Sequence, residues 1–242
     1  MSTQLRDTSF LSGTAPAVGF EAGLRNHMLR IYNYMAGGVA LTGALAWASV
    51  NTGLSQVVFS GKASLIFMLA PLAFMLVLNF GINRLSASTA RMLFWAFCAS
   101  MGVSMAGIFV IYTDTSIARA FFGTAATFGA MSLWGYTTRK DLTGFGSFLM
   151  MGVIGIMLAS LVNLGLALFG QPSGMLNWVT SVLGVLIFTG LTAWDTQNIK
   201  QSYADGHGVE SNSKLAVMGA LKLYLNFINA FMFLLRLIGD RR

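Results

Sequence analysis

Asp195 is the residue of this sequence whose type and surroundings best suit chemistry inside an apolar environment. Of the eight acidic residues, it is the one that closes a long hydrophobic run, whereas the others fall in polar stretches or near the chain ends. An ionised carboxylate near the centre of a bilayer costs about 2.5–3.5 kcal/mol, so it usually faces a bundle interior or a water path and has a partner. The alternative is an interfacial aspartate in contact with water.

A polar stripe marks the last apolar stretch. Lys222, Asn226, Asn229 and Arg236 lie at offsets 0, 4, 7 and 14, close to one face of a helix. In lipid such a face turns inward, because each polar group needs a partner. We expect the stripe either to contribute to a site or to form a structural hydrogen-bond seam between helices.

Arg84 ends the second apolar stretch and is the candidate countercharge for Asp195. Both residues would lie on the cytoplasmic side if the N-terminus is inside. Arg84 could equally be a basic anchor at the membrane surface.

One carboxylate with amide and carbonyl oxygens suits a hard cation such as Ca²⁺, bound weakly because affinity grows with the number of charged oxygens. Asp195 is therefore a weak Ca²⁺ candidate, and we expect no tightly bound cofactor. His27 and His207 lack Cys or His neighbours at ligand spacing, and we expect both to be solvated side chains.

The composition excludes a soluble globular protein. Of the 242 residues, 55% are hydrophobic and 10% are charged, whereas soluble domains carry roughly a quarter charged residues. The net charge of +7 comes from Lys and Arg scattered singly or in pairs, without the basic stripe that nucleic-acid binding requires. We expect the partner to be a lipid bilayer rather than nucleic acid.

Seven apolar stretches are long enough to span a bilayer as helices, which takes about 20 residues each. Their continuous apolar character argues against a barrel, whose strands alternate. The sequence predicts an all-α polytopic membrane protein, a seven-helix bundle over 28–242 preceded by a flexible tail over 1–27. Only the linker 196–214 is long enough to hold extra structure. The stretches are 34–54, 63–82, 92–112, 118–136, 145–169, 175–194 and 215–238.

Basic residues predict a cytoplasmic N-terminus, since cytoplasmic loops carry an excess of Lys and Arg. That orientation leaves the C-terminus undecided. A full seventh crossing places Arg241 and Arg242 outside, against the rule, whereas a last segment that enters and returns keeps them inside. Lys62 and Arg119 would also lie outside, against nine residues inside: Arg6, Arg25, Arg30, Arg84, Arg91, Arg139, Lys140, Lys200 and Lys214.

Three motifs resemble those of the transmembrane Bax inhibitor motif family, and its bacterial branch most closely. Residues 190–200 (GLTAWDTQNIK) are similar to the family's sixth-helix signature, 124–142 (TAATFGAMSLWGYTTRKDL) to its fourth-helix motif and 223–229 (LYLNFIN) to its seventh. They occur in the expected order, and the resemblance extends from about residue 30 to the end.

The resemblance implies a bundle with a central seventh helix and a pH-sensitive calcium leak in a bacterial inner membrane. In the family, two aspartates on the sixth and seventh helices share protons, and an arginine on the second helix latches the closed state. Asp195 matches the first aspartate and Arg84 the arginine, but the second aspartate position is Asn226. Because an Asp–Asn pair cannot titrate as a coupled pair, we expect weaker pH gating here, with Lys222 and Asn229 beside the ion pathway.

Two other functions are alternatives to the leak: an interaction with a protease and an intramembrane protease activity. Some bacterial relatives bind a membrane-anchored AAA protease and present a cytoplasmic tail to it, a role that residues 1–27 would suit. An intramembrane protease would need two embedded aspartates or a membrane Ser–His pair, and the sequence offers neither. We therefore expect no enzymatic activity.

Overall fold

The structure is a computed structural model that describes residues 15–59, 63–203 and 208–242. Within these ranges the chain is almost entirely helical, and its only β-type pairing is an isolated bridge between Tyr112 and Arg241. The helices are α1 (Ala15–Asn51), α2 (Leu54–Phe59), α3 (Ala63–Gly81), α4 (Ala87–Ser104), α5 (Gly107–Ile111), α6 (Asp114–Thr137), α7 (Thr143–Leu168), α8 (Gly174–Ser202) and α9 (Gly208–Ile238).

Five helical stretches in the described residues are long and apolar enough to cross a membrane. Helices α1 and α6, which match the first and fourth predicted segments, are long enough but less apolar. Large apolar side chains on α3 and α7 point outward, as expected of surfaces that face lipid. The five stretches are Ser64–Gly81, Ala87–Ile111, Thr143–Leu168, Gly174–Ser202 and Gly208–Ile238.

Helix α9 forms the centre of the bundle and packs against α8, α1, α6 and α4. In the most apolar 18-residue stretch of α9, 56% of the residues are buried, compared with 11–33% in the corresponding stretches of the other four candidate membrane-spanning segments. This placement agrees with the central last helix that the family resemblance implies. A polar residue on α9 therefore meets other helices before it meets lipid.

The long helices alternate in direction between two ends of the bundle. The first end holds Arg30 of α1 beside Ser213 of α9, together with the α6–α7 connection, which contacts the end of α8. The opposite end brings Ser116 of α6 to Asp240, just past α9. Helix α9 therefore runs the full length of the bundle and does not turn back.

The chain after α9 is fastened to the start of α6. The backbone N–H of Thr113 donates to Asp240, and that of Arg242 donates to Ile111. The Arg242 guanidinium forms an ion pair with Asp114 at 2.8 Å. Carboxylates thus partly compensate the arginine charge at this end of the bundle.

Helix boundaries differ from the predicted ones at three places. Helix α1 begins at Ala15 and so includes residues 15–27 of the predicted tail, while residues 1–14 lie outside the described part of the chain. Helix α8 continues to Ser202 rather than ending at 194, and α9 already begins at Gly208. The predicted long linker is therefore mostly helix.

Candidate functional site

Asp195 lies within α8 and faces the central helix. Its carboxylate Oδ2 accepts a hydrogen bond of 2.7 Å from the Asn226 side-chain amide. Asp195 is 7% exposed and Asn226 is 5% exposed. The structure therefore brings together the two residues that the sequence pairs, and it places them inside the bundle rather than at a water-exposed helix end.

The remaining predicted site residues are arranged differently. Lys222, one turn before Asn226, is exposed but close enough to interact electrostatically with Asp195. Asn229 is half-buried and donates to the Leu225 carbonyl of its own helix. Arg84 is exposed in the turn after α3 and, among the described residues, forms no ion pair. Among the described residues, Lys222 rather than Arg84 is thus the basic group near Asp195.

The polar stripe divides between two environments: Lys222 and Asn226 lie near Asp195, whereas Asn229 and Arg236 line a separate cavity. Arg236 is exposed near the far end of α9 and its guanidinium lies 5.5 Å from the Phe233 ring centroid. It lines an open cavity of about 400 Å³ together with Asn229, on the side of α9 that faces α7 and α8. The stripe therefore does not form one continuous site.

The α8 residues after Asp195 hold the α6–α7 connection in place. The Gln197 side chain accepts from the Leu142 N–H and donates to the Lys140 carbonyl, at 2.9 and 2.8 Å. Lys200 donates to the Tyr136 carbonyl and lies over its ring. These contacts explain why α8 extends beyond its apolar run, since its last turns are stabilised by neighbouring chain rather than by lipid.

Helices α6 and α8 approach each other closely next to the site. A Cβ added at Gly135 would collide with the backbone of Ala193, including its carbonyl oxygen. Small residues allow such contacts between membrane helices. The fourth-helix and sixth-helix motifs therefore meet in space, and glycine at 135 allows that approach.

A chain of hydroxyl groups links α1, α6 and α8 beside Asp195. Thr196 donates to the Thr192 carbonyl, and its hydroxyl is also hydrogen-bonded to that of Ser132, which in turn is hydrogen-bonded to that of Tyr32. The hydroxyl separations are 3.1 Å for Ser132–Thr196 and 2.5 Å for Tyr32–Ser132. Ser132 therefore connects α1 to α8 through its single hydroxyl.

Ser132→Ala should destabilise the bundle by about 0.5–2 kcal/mol, because it removes both bonds of the central hydroxyl. Thermal unfolding in detergent should show a lower midpoint than for the parent protein. Ser147→Ala is the matched control, since Ser147 is exposed and bonds only to the Thr143 carbonyl of its own helix. Equal midpoints for the two variants would contradict the role assigned to the hydroxyl chain.

The prediction that His27 is a solvated side chain is wrong. His27 is 5% exposed, and its ring packs against Tyr203. Its surroundings in sequence are polar, but α1 carries apolar Leu24 and Met28 beside it into the core. The other histidine, His207, lies outside the described residues.

The chemistry available at Asp195 is that of one carboxylate with a neutral amide partner, Asn226, and one basic group, Lys222, near it. Within the described ranges no three His, Cys, Asp or Glu side chains come together as a metal-ligating group. A carboxylate and an amide can contact a hard cation transiently, and rotation of the Asn226 amide would exchange its N–H donors for its oxygen.

Long apolar helices around a buried central helix, with a carboxylate held inside, define an integral membrane protein of the polytopic α-helical class. The chain belongs to the Bax inhibitor family, since residues 24–242 match the family described as "Inhibitor of apoptosis-promoting Bax1". The family predicted from the motifs is thereby confirmed.

Bacterial relatives match nearly the whole chain. RP147 of Rickettsia prowazekii (strain Madrid E) is 44% identical over 236 residues, which cover 97% of this chain and 98% of the relative. Inner membrane protein YbhL of Escherichia coli (strain K12) is 44% identical over 225 residues, 91% and 94% of the two chains. A Caulobacter vibrioides protein is 43% identical over 233 residues, 92% and 91% of the two chains.

Proposed function

We propose that this protein is a cation leak, permeable to Ca²⁺, in which Asp195 is the titrating gate and Asn226 its neutral partner. The observation that supports this proposal is the 2.7 Å bond between the Asn226 amide and a carboxylate buried in a membrane-spanning helix. A buried carboxylate in such a helix is costly and commonly marks an ion pathway. The proposed leak involves no catalytic activity.

The Asp195–Asn226 bond acts as the closed latch. A hydrogen bond to a charged group contributes about 1.5–3 kcal/mol, so a cation that enters must replace it. Rotation of the amide by about 180° would then turn its oxygen toward the ion. Lys222 competes electrostatically with the cation, which keeps occupancy low and suits a leak rather than a storage site.

For the membrane arrangement, we propose seven crossings with the N-terminus in the cytoplasm. The alternating helix directions place Arg30, Arg139 and Lys200 at one end of the bundle, as the positive-inside rule expects. Helix α9 then carries Asp240 and Arg242 to the outer end. The relative YbhL is an inner membrane protein, which favours an inner membrane as the location.

Asp195→Asn should lower Ca²⁺ flux into liposomes about tenfold or more, because the carboxylate charge that stabilises the ion is lost. Asp141→Asn is the control. Asp141 is exposed, and hydrogen bonds from the Thr143 hydroxyl and N–H lower its pKa, so it is ionised at neutral pH. Flux that is unchanged in well-folded Asp195→Asn, or no greater for the parent protein than for empty liposomes, would reject the leak.

Regulation of a membrane-anchored AAA protease stays a prediction. Residues 1–14 of the tail expected to carry that role lie outside the described residues, and residues 15–27 form the first turns of α1. Deleting residues 1–14 should weaken co-purification with such a protease if this role exists. Unchanged co-purification and proteolysis would argue against it.

A further inference from the structure

His27 is a buried imidazole with an unused hydrogen-bonding atom. Its Nε2 has no partner among the described residues, and its ring centroid lies 5.2 Å from that of Tyr203. The residue lines a cavity of about 170 Å³ where the first turns of α1 meet the end of α8 and the start of α9. None of the contacts described for Asp195 involves it.

The charged residue that lines this cavity beside His27 is Arg30. Arg30, one turn further along α1, donates to Ser213 of α9 and repels an additional positive charge at His27. The nearest helices also carry charged groups of their own: Glu21 and Arg25 on α1, Lys200 on α8 and the Glu210–Lys214 ion pair on α9.

The neutral imidazole suits this environment and the imidazolium does not. Among the described residues Nε2 has no hydrogen-bond partner, and a positive charge on the ring would be buried close to Arg30. Burial first, and then the Arg30 charge, lower the pKa of His27 below its ordinary value of 6.5. Protonation is therefore easier when the first turns of α1 separate from α8 and α9 than when they are packed together.

We propose that protonation of His27 releases the first turns of α1 from the junction between α8 and α9. Neutral His27 keeps these elements together above about pH 6.5, and the contact weakens as the pH falls below that value. Tyr203 follows Asp195 by eight residues on the same chain segment, about 12 Å along a helix. Acid would thus loosen the end of α8 through a group other than the aspartate, whether or not the protein conducts ions.

Hydrogen–deuterium exchange of the full chain in nanodiscs tests this release, with pH 5.5 compared with pH 7.5 after correction for intrinsic exchange rates. If packed His27 stays neutral, the opening equilibrium of residues 20–31 should increase up to about tenfold at pH 5.5. His27→Phe keeps an aromatic ring but cannot take up a proton, so the increase should disappear. His207→Gln should retain it.

Arg30→Gln should give a smaller increase, because it removes the repulsion that disfavours the imidazolium. Should His27→Phe fail to fold, NMR titration of the histidine side chains, assigned through His207→Gln, gives a second measurement on otherwise unaltered protein. A His27 that titrates at or above pH 6.5, or an equal pH response in the parent protein and His27→Phe, would overturn the proposal.

Discussion

Asn226→Asp should make Ca²⁺ flux strongly dependent on pH. In the parent protein the Asn226 amide donates to the Asp195 carboxylate at 2.7 Å. An aspartate there would put two carboxylates about 4 Å apart, where like charges repel by about 4 kcal/mol at an effective dielectric constant of about 20. The pair would share a proton and titrate as a unit, so that the charge of the pathway changes with pH.

Liposome Ca²⁺ flux between pH 5.5 and 8 measures this difference. Asn229→Asp is the matched control, since Asn229 lies one turn further along α9 and bonds only to its own helix. We expect a steeper pH profile for Asn226→Asp than for the parent protein and the control. Equal pH profiles for Asn226→Asp and the parent would show that the missing second aspartate does not set the pH response.

Gly135→Ala should destabilise the bundle strongly for a change of a single methyl group. The added Cβ would collide with the backbone of Ala193, which cannot move aside as a flexible side chain can. Overpacking typically costs about 1–3 kcal/mol and occasionally more. Separation of α6 from α8 would also strain the Ser132–Thr196 and Lys200–Tyr136 contacts, so both the unfolding temperature and the flux should fall.

Gly129→Ala provides the control on the same helix. A Cβ added at Gly129 meets nothing within 4 Å, and replacing glycine within a helix usually stabilises it by about 0.5–1 kcal/mol. Thermal unfolding in detergent should therefore separate the two variants by several degrees, with Gly129→Ala at or above the parent protein. A Gly135→Ala protein as stable as Gly129→Ala would contradict the close helix contact.

Hydrophobic length predicts the helices well. Each of the seven predicted stretches overlaps a helix of the structure, because a bilayer demands long apolar runs whatever their packing. Helix ends are predicted less well. Gln197 and Lys200 are polar, so they suggested a loop, but the side chain of each bonds to the backbone of residues 136–142 and extends α8.

The Asp195–Asn226 pair could be predicted from the motifs, whereas its electrostatic neighbour could not. Arg84 and Lys222 were both candidates, and only helix packing decides which charge approaches Asp195. His27 shows the same limit, since its burial depends on contacts with the distant residue Tyr203. On α6, small or hydroxyl-bearing residues recur at multiples of four residues, at Ser116, Ala120, Thr124 and Ser132, and this sequence pattern could have revealed the inward face that the structure shows.

The hydroxyl chain from Tyr32 through Ser132 to Thr196 has a consequence for how movement passes between helices. It joins α1 to α6 and α6 to α8, and Thr196 also donates to the Thr192 carbonyl. Among the hydrogen bonds of the described residues, none joins this chain to the Asp195 carboxylate, which is bonded to Asn226. A displacement of α1 would therefore reach Asp195 as a movement of its helix rather than as a transferred proton.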